Sequence, residues 1–392
     1  MKILVVSQYY YPEPFRITDI CETLVKEGHE VTVLTGQPNY PEGTIYQGYK
    51  NHFSSEVINS VRVVRTKIKP RRAGNFNLML NYFSFPFYAR RIVKKLDKDF
   101  DVVFINQLSP ILSALPGIKY ARNNQVNTIL YCLDLWPESL VAGGLKRKSI
   151  IYKIFETISK KIYKKIDKIL ITSKSFKTKF DEYGIKAEYL PQYSEDVYLS
   201  NINMIDNSCD FNIVFAGNIG EIQSLETILL AARELISFKD IKFNLYGSGS
   251  QFDRLVKLRD KWMLSNVIFH GRVDIREMPK IYSTAHALLV TLKDDELLSM
   301  TLPGKVQSYM AAGKPIIGAI NGETKEIIED AKAGYVAKAE DYKNLADLII
   351  KARNNPELYM LGLNGKEYYD KNFNKTIFIK KLAKIMEELN NV

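Results

Sequence analysis

In the second half of the chain a short apolar run passes directly into a glycine turn, Ile213-Val214-Phe215-Ala216-Gly217-Asn218-Ile219-Gly220. An apolar stripe at helical spacing begins just after it, at Leu225. A strand that opens through glycines into a helix is typical of a βαβ unit, and the glycines let backbone N–H groups approach an anion at the helix N-terminus. The pattern therefore predicts an α/β domain, and it leaves open whether the turn binds a phosphate or is a plain glycine turn.

Similar apolar runs, separated by helical stripes, predict parallel strands buried on both faces throughout the chain. They lie at 3–7, 31–35, 61–64, 101–105, 128–133 and 168–172, and again at 241–246, 267–270, 287–291 and 315–318. Two such arrays in 392 residues predict two doubly wound, Rossmann-like domains. Because ligands bind at the carboxyl ends of parallel strands, two such domains facing each other would enclose a cleft.

The polar stretch 193–210 is the predicted boundary between these domains. We expect a first domain at 1–195 and a second at 205–372. A C-terminal helix around 373–392 is expected to pack back on the first domain.

The net charge of +11 lies in the first half, because residues 201–392 carry equal numbers of acidic and basic side chains. Basic surfaces attract anionic lipids, phosphates or nucleic acid. The excess is concentrated in two basic stretches with apolar stripes, at 67–91 and 146–168. The first favours membrane contact, whereas the apolar stripe of the second could equally pack on the sheet.

The sequence suggests neither an exported nor a membrane-spanning chain. No segment has the apolar length of a transmembrane helix, and the first apolar run is too short for a signal peptide. Three scattered cysteines favour neither a disulfide framework nor a zinc cluster. We therefore expect a cytoplasmic protein.

Two further segments of the second half point to a nucleotide diphosphate. The strand end Tyr246-Gly247-Ser248-Gly249 suits close backbone approach to a base or ribose, although a plain helix-entry loop explains it equally well. In 302–315, Pro303 favours a helix start, so Lys305 would lie in the first turn. A cation there opposes the helix dipole unless an anion lies between them, although a solvated surface lysine remains the alternative.

These segments together resemble the family 4 retaining glycosyltransferases of the GT-B fold. The resemblance is closest to the branch that builds bacterial O-antigen, capsule and colanic-acid-type polysaccharides. It covers nearly the whole chain and includes 7–14, 28–36, 38–41, 134–139, 216–220, 247–249, 269–273, 303–315 and 322–323.

The resemblance implies roles for residues of the donor half. The turn at Gly217, Asn218 and Gly220 would hold the donor diphosphate together with Lys305, and Arg272 and Val273 would lie beside the base. Gln307 occupies a place where many relatives carry a ribose-binding glutamate, and Glu296 and Glu323 are the candidates for the missing carboxylate. Many relatives also have a basic pair where this chain has Asn218 and Gln223, so the diphosphate would depend more on Lys305 and on backbone N–H groups.

Catalysis is expected to need neither a metal nor a cofactor, because fixed N–H groups and a lysine can stabilise a leaving diphosphate. The catalytic candidates are Asp134, Lys305 and Glu296. Asp134 follows a predicted strand and could orient the acceptor, or it could simply cap the following turn. Glu13 and Arg16, in the first strand–helix connection, are the acceptor-binding candidates, with a surface role as the alternative for Arg16.

The sequence thus predicts a hexosyltransferase of class EC 2.4 that uses a nucleotide sugar, with UDP-sugar as the first candidate. By resemblance it would retain the anomeric configuration and act on a polyisoprenyl-diphosphate-linked saccharide in lipopolysaccharide or capsule synthesis, at the anionic inner face of the cell membrane. Two alternatives stay open: a nucleotide-sugar epimerase of the same fold, and a basic nucleic-acid-binding protein, although no recognised nucleic-acid module is present.

Overall fold

The computed structural model describes residues 1–72, 74–142, 144–199 and 210–390. The chain forms two compact units. The first comprises Met1–Leu190 together with the chain from Ile379 onward, and the second comprises Pro191–Phe378. Most of the polar stretch expected to separate the domains, residues 200–209, lies outside the described residues.

The first unit is built on an eight-stranded sheet with the order β3-β4-β2-β1-β5-β6-β7-β8, parallel except for β3. The strands are β1 Lys2–Ser7, β2 Glu30–Gly36, β3 Ser54–Ile58, β4 Val61–Thr66, β5 Val102–Gln107, β6 Asn127–Cys132, β7 Lys168–Ile171 and β8 Ala187–Tyr189. Its helices are α1 Ile17–Lys26, α2 Asn75–Ile92, α3 Leu115–Asn124, α4 Glu138–Ala142, α5 Ile150–Tyr163 and α6 Phe176–Glu182. Strands β1 and β5 are buried along nearly their whole length, as expected for central parallel strands covered on both faces.

The second unit contains a six-stranded, fully parallel sheet with the order β11-β10-β9-β12-β13-β14. The strands are β9 Phe211–Ala216, β10 Ile241–Tyr246, β11 Val267–Gly271, β12 Ala287–Thr291, β13 Ile316–Ala319 and β14 Gly334–Ala337. The helices are α7 Leu225–Glu234, α8 Phe252–Lys261, α9 Met278–Ser283, α10 Glu296–Ser299, α11 Gly304–Ala311, α12 Glu323–Asp330, α13 Tyr342–Arg353 and α14 Leu358–Asn372. Apolar clusters cover both faces of this sheet.

The last helix, α15 Lys375–Asn390, connects the C-terminus to the first unit. Lys381 Nζ donates to the carbonyl of Tyr189 at 2.7 Å and pairs with Glu188 at 3.1 Å. Asn127 Nδ2 donates to the carbonyl of Leu389 at 2.6 Å. These bonds tie the helix to strands β6 and β8.

Three strands escape the sequence patterns, namely β3, β8 and β14. Strand β3 has the sequence Ser-Ser-Glu-Val-Ile and lies antiparallel at the sheet edge, where alternate side chains stay in solvent. Strands β8 and β14 have three and four residues, and most of their side chains are only half-buried. Edge strands need no continuous apolar run, so the criterion that identifies buried parallel strands does not detect them.

The stripe expected on the second basic stretch also differs in the structure. Helix α5 buries Tyr152, Ser159, Ile162 and Tyr163. The predicted stripe consists of Ile151, Phe155, Ile158, Ile162 and Ile166. Ile151, at its start, remains 55% exposed. Ile162 of the stripe is buried, whereas the end of the helix that carries Ile150, Ile151 and Ile154 stays open to solvent.

Candidate functional site

In the second unit the glycine turn after β9 and the start of α11 meet at the Lys305 ammonium. Lys305 Nζ donates to Gln223 Oε1 at 2.8 Å and lies 4.0 Å from the centroid of the Phe215 ring. Gly217 adopts a φ of +146°, and a Cβ placed on it would lie 3.0 Å from Lys305 Nζ. Because only glycine leaves this approach open, the structure brings together the two features expected to hold a diphosphate.

Lys305 carries a charge that the unit itself does not balance. Its pKa falls from 10.5 to about 7 because burial removes the ammonium from water. No carboxylate forms an ion pair with this lysine in the described part of the chain. Helix α11 begins at Gly304, so Lys305 lies in the first turn, where the helix dipole also disfavours a cation. A bound anion would relieve both effects.

The second glycine pair packs the two loops of this region against each other. A Cβ on Gly247 would lie 1.8 Å from the carbonyl oxygen of Gly217, and one on Gly249 would lie 2.5 Å from that of Ile219. Backbone hydrogen bonds join the loops, from Gly217 N to the carbonyl of Tyr246 at 3.0 Å and onward along the turn. Gly247 and Gly249 are therefore required for loop packing, which favours the structural alternative for these two residues.

Asn218 and Gly220 belong to the same packed turn. A Cβ on Gly220 would lie 2.6 Å from Asn218 Nδ2, and the Asn218 side chain also lies next to Gly249. The Asn218 side chain thus fills the space beside both glycines. Gly217 N and Ile219 N already donate to the carbonyls of Tyr246 and Ser248, so the N–H groups of Asn218 and Gly220 are the turn's candidate donors to an anion.

The residues expected at the ribose occupy different environments. Gln307 is only 1% exposed and its Nε2 donates to the carbonyl of Gln192 at 2.7 Å, so its amide holds the start of the second unit. Glu323 is 3% exposed in the first turn of α12. Glu296 is exposed at the start of α10, behind the capping carboxylate of Asp295.

A carboxylate that the sequence patterns do not indicate, that of Glu195, contacts Ser308, which follows Gln307 on helix α11. Ser308 Oγ donates to Glu195 Oε2 at 3.4 Å and lies 3.3 Å from Ser194 Oγ. Glu195 is half-buried. It is distant in sequence and belongs to the stretch expected to be a linker, so no motif pointed to it.

Arg272 and Val273 follow strand β11. Arg272 is exposed, whereas Val273 is half-buried and packs on an apolar cluster of the second unit. Gly247 N donates to the carbonyl of Gly271 at 2.7 Å, which joins this segment to the glycine loops. Beside it, the rings of Tyr246 and His270 stack with centroids 4.1 Å apart. The segment thus borders the glycine turns, as expected for a base-binding position.

A cavity of about 550 Å³ lies next to this cluster and shares only Gly220 with the expected donor loop. Its basic side chains already have partners, because Arg254 pairs with Glu226 at 2.8 Å and Lys293 with Glu221 at 2.6 Å. Paired cations are weaker anion ligands than the desolvated Lys305. The Lys305 cluster is therefore the stronger candidate for a diphosphate site than this cavity.

In the first unit Asp134 follows strand β6 and is fixed by a neighbouring loop. Its Oδ2 accepts from Ser109 N at 2.9 Å, and Ser109 Oγ accepts from Trp136 Nε1 at 2.8 Å. Burial raises the pKa of Asp134, while the hydrogen bonds from Ser109 and the charge of Arg71 act in the opposite direction. A carboxylate that is held in place with a raised pKa suits a group that orients or deprotonates a hydroxyl.

The acceptor candidates of the first loop are engaged by the fold. Glu13 is 3% exposed, and its carboxylate accepts from the backbone N–H groups of Asn39, Tyr40 and Tyr10 at 2.8, 2.8 and 3.2 Å. Burial raises its pKa to about 7, and these three donors oppose that shift. Its geometry supports a role in shaping the loop. Arg16 precedes α1, is half-buried, and its charge lowers the pKa of the buried Tyr131 hydroxyl against the larger raising effect of burial.

The described residues contain no group of three or more His, Cys, Asp and Glu side chains placed to hold a metal ion. Within the same ranges, no helix has the length and apolar character needed to cross a membrane.

Comparison with known proteins identifies both halves of the chain. Residues 16–190 match the family described as Glycosyltransferase Family 4, and residues 210–355 match Glycosyl transferases group 1. The probable glycosyltransferase WbjE of Pseudomonas aeruginosa is 26% identical over 71% of this chain and 72% of its own length. The putative colanic acid biosynthesis glycosyl transferase WcaI of Escherichia coli K12 is 26% identical over 80% of this chain and 82% of its own.

A solved structure shows the same fold. Alr3699/HepE of Anabaena, in complex with UDP and glucose, superposes with a TM-score of 0.70 at 14% identity, covering 99% of each chain. Two parallel-sheet α/β domains of this kind are those of the GT-B glycosyltransferases, as the sequence predicted. The chain is therefore a glycosyltransferase of class EC 2.4, and residues 16–190 of it match family 4.

Proposed function

We propose that this glycosyltransferase transfers a sugar from a UDP-sugar to a lipid-linked saccharide, with retention of configuration and without a metal. The observation that carries the donor half of the proposal is the Lys305 ammonium, desolvated beside the Gly217 turn with its pKa lowered to about 7. Such a site gains most from a ligand with concentrated negative charge. The HepE structure, which holds UDP, supports a uridine nucleotide.

In this proposal the diphosphate lies between Lys305 Nζ and the backbone N–H groups of Asn218 and Gly220, since those of Gly217 and Ile219 donate to carbonyls. As the sugar–phosphate bond breaks, negative charge grows on the leaving phosphate, and donors already in place stabilise it without reorganisation. Gln223 holds Lys305 Nζ at 2.8 Å and keeps the side chain directed at the turn. A residue that is basic in many relatives would thus position the catalytic lysine here.

The remaining donor residues divide into two groups. Arg272 and Val273 border the glycine loops and suit the base. Glu323 and Glu296 remain candidates for the sugar or ribose hydroxyls. Gln307 is withdrawn from direct ribose contact in this proposal, because its amide is buried and bonded to the carbonyl of Gln192.

For the acceptor we assign Asp134 to the reacting hydroxyl. Retention follows from the resemblance, with the leaving phosphate taking the acceptor proton on the same face of the sugar. Asp134 would then orient the hydroxyl, fixed by the Ser109 amide. In this scheme Glu13 supports the loop around Asn39 and Tyr40 rather than contacting the acceptor.

The surface of the first unit supports a lipid-linked acceptor at an anionic membrane. Helix α2 exposes Met79, Leu80, Phe83 and Phe87, with Arg90 and Arg91 in its last turn. Trp136 contacts both neighbouring helices, since its ring lies 6.4 Å from that of Tyr82 on α2 and 5.6 Å from that of Phe155 on α5. Exposed apolar side chains flanked by basic ones suit the interface of an anionic bilayer.

The donor proposal is tested by thermal shift with a panel of nucleotide sugars. A ligand that binds only the folded protein raises its melting temperature, so UDP and one UDP-sugar should stabilise the wild type. Lys305→Met should lose that stabilisation and most turnover, whereas Lys257→Met, which removes an exposed lysine of α8, should retain both. Equal stabilisation of Lys305→Met and wild type would refute the donor site. An altered sugar without release of UDP would instead identify an epimerase.

The membrane proposal is tested by sedimentation with vesicles of phosphatidylglycerol and phosphatidylcholine. Replacing both Phe83 and Phe87 by glutamate should weaken binding by at least about tenfold, because two apolar anchors are lost and two negative charges are gained. The control is Tyr359→Glu, since Tyr359 is 60% exposed on the second unit. Unchanged binding of the double variant would contradict the assignment of this face.

A further inference from the structure

One arginine in the basic run before α2 differs from its neighbours. Lys67, Lys69 and Arg72 are exposed, as expected for a surface that meets anionic lipid, whereas Arg71 is half-buried. The main chain at this position is fixed, because Arg71 N donates to Asn39 Oδ1 at 2.8 Å. The partial burial of its side chain thus separates Arg71 from the exposed basic residues around it.

The Arg71 guanidinium lies over an aromatic ring that is itself packed among others. Its central carbon lies 5.4 Å from the centroid of the Tyr40 ring. Tyr40 in turn packs against Tyr9 and Phe15, with ring centroids 5.7 and 5.2 Å away. Such a setting holds the planar guanidinium in place and removes part of its hydration, which strengthens its interaction with any anion that reaches it.

The charge of Arg71 affects the pKa of Asp134 and of two tyrosines. Burial raises the pKa of the Tyr9 and Tyr82 hydroxyls and of Asp134, and Arg71 opposes the shift in all three cases. Tyr82 lies beside Trp136, whose Nε1 is bonded to the loop that holds Asp134. Because Tyr9 follows β1 and Asp134 follows β6, the charge of Arg71 acts on groups at the carboxyl ends of these strands.

We infer that Arg71 binds a negatively charged group of the acceptor, a phosphate or a carboxylate, while Asp134 binds an acceptor hydroxyl. Within the described residues no carboxylate forms an ion pair with Arg71, and guanidinium groups match phosphate and carboxylate geometry. The inference rests on the proposed function, because it takes Asp134 as the residue at the reacting hydroxyl. It adds the chemical class of the acceptor.

Asp134 also limits how an anion can bind. An anion placed against an ionised carboxylate would be repelled, so the anionic group of the acceptor must meet Arg71, and its hydroxyl must meet Asp134. The alternative is that Arg71 only balances the charge of Asp134. In that case removing Arg71 would change the pH dependence of turnover but would leave anion binding unaltered.

The test uses the full chain saturated with UDP, so that the Lys305 site is occupied. Inorganic pyrophosphate and glucuronate are titrated separately by calorimetry at pH 7.5, and the two arms distinguish a phosphate from a carboxylate source. For the anion that binds, Arg71→Gln should weaken binding by at least about tenfold, the usual effect of losing a charge-assisted pair of hydrogen bonds. Arg72→Gln removes the same charge one residue away and should bind as the wild type does.

Three outcomes would overturn the inference: equal binding by Arg71→Gln and wild type, equal weakening by both variants, or no binding of either anion by the wild type at about 10 mM. Folding is controlled by the melting temperature of each variant, and Arg71→Lys should recover part of the affinity if Arg71→Gln is destabilised. UDP affinity is measured in parallel on every variant. Normal UDP binding with unaltered anion binding in Arg71→Gln refutes only this inference, whereas absent UDP binding in the wild type refutes the proposed function.

Discussion

Binding of UDP should draw a proton from solution, because Lys305 is largely neutral in the free protein at alkaline pH. Its pKa is lowered from 10.5 to about 7 by burial. A diphosphate beside the ammonium favours the charged form and raises that pKa again. UDP binding should therefore change the charge of one side chain, that of Lys305.

The magnitude follows from the depressed pKa. At pH 8 a lysine with a pKa of about 7 is about one tenth protonated, and a bound lysine that stays charged takes up about 0.9 proton. Below pH 7 the free lysine is already mostly charged, so its contribution to the pH dependence fades. Above pH 7 protonation must accompany binding, and from pH 7 to pH 9 the affinity for UDP should fall about 50-fold.

The assay is calorimetry at pH 8 in two buffers of different ionisation enthalpy, whose difference in observed heat gives the protons exchanged. At this pH the terminal phosphate, with a second pKa near 6, is already deprotonated and adds little. Lys305→Met should bind more weakly with no uptake, which separates Lys305 from Lys314, the other lysine of the unit with a lowered pKa, about 8. Uptake near zero in the wild type, or equal uptake in both proteins, would refute the reasoning.

Three further variants separate chemistry from packing. Asp134→Asn keeps an acceptor for the Ser109 amide but removes the charge. In a sugar-transfer assay kcat should therefore fall by about 100-fold while UDP affinity is retained. An unchanged kcat would exclude a catalytic role for Asp134. Gly247→Ala should lower the free energy of unfolding, measured in urea, by about 3 kcal/mol, because the added Cβ would overlap a backbone oxygen. Gly28→Ala should cost about 1 kcal/mol, because Gly28 has a φ of +88° but no atom near the added Cβ. Equal losses in the two variants would contradict the close packing of the loops. Gln307→Ala should cost about 1 kcal/mol of stability through a lost buried hydrogen bond and leave UDP affinity within about twofold, and a large loss of affinity would return this residue to the ribose.

The buried elements of the fold follow from the sequence because their signal is local. A parallel strand covered on both faces must be apolar throughout, and strands such as β1, β5 and β12 show this directly. The edge strands β3 and β8 carry no such requirement. The apolar stripe of α5 packs only in part, because Ile162 is buried whereas Ile151 is exposed. Spacing gives an amphipathic face but not the partner on which the helix packs.

Part of the donor site can likewise be predicted from local sequence patterns, and part depends on tertiary contacts. The adjacency of Gly217 and Lys305 could be anticipated, because a glycine turn after a strand and a lysine in a helix first turn both carry recognisable patterns. The burial of Gln307 and the position of Glu195 beside Ser308 could not, since both depend on contacts between residues more than 100 positions apart. The roles of the predicted donor and catalytic residues remain predictions until a ligand is bound.

The cluster around Arg71 illustrates what a charge pattern cannot resolve. Four basic residues at alternating or adjacent positions are indistinguishable in the sequence. In the structure Arg71 is half-buried, with its guanidinium over the Tyr40 ring, whereas Lys67, Lys69 and Arg72 are exposed. Residues that share a composition signal can therefore have different functions, and tertiary contacts decide which is which.

The central claim is that the nucleotide diphosphate binds between the Gly217 turn and Lys305, and a crystal structure of the full chain with UDP tests it most directly. The account predicts a phosphate oxygen within hydrogen-bond distance, about 3 Å, of Lys305 Nζ and of a backbone N–H in the turn. A diphosphate bound elsewhere, with Lys305 Nζ still on Gln223 and far from any phosphate oxygen, would contradict it.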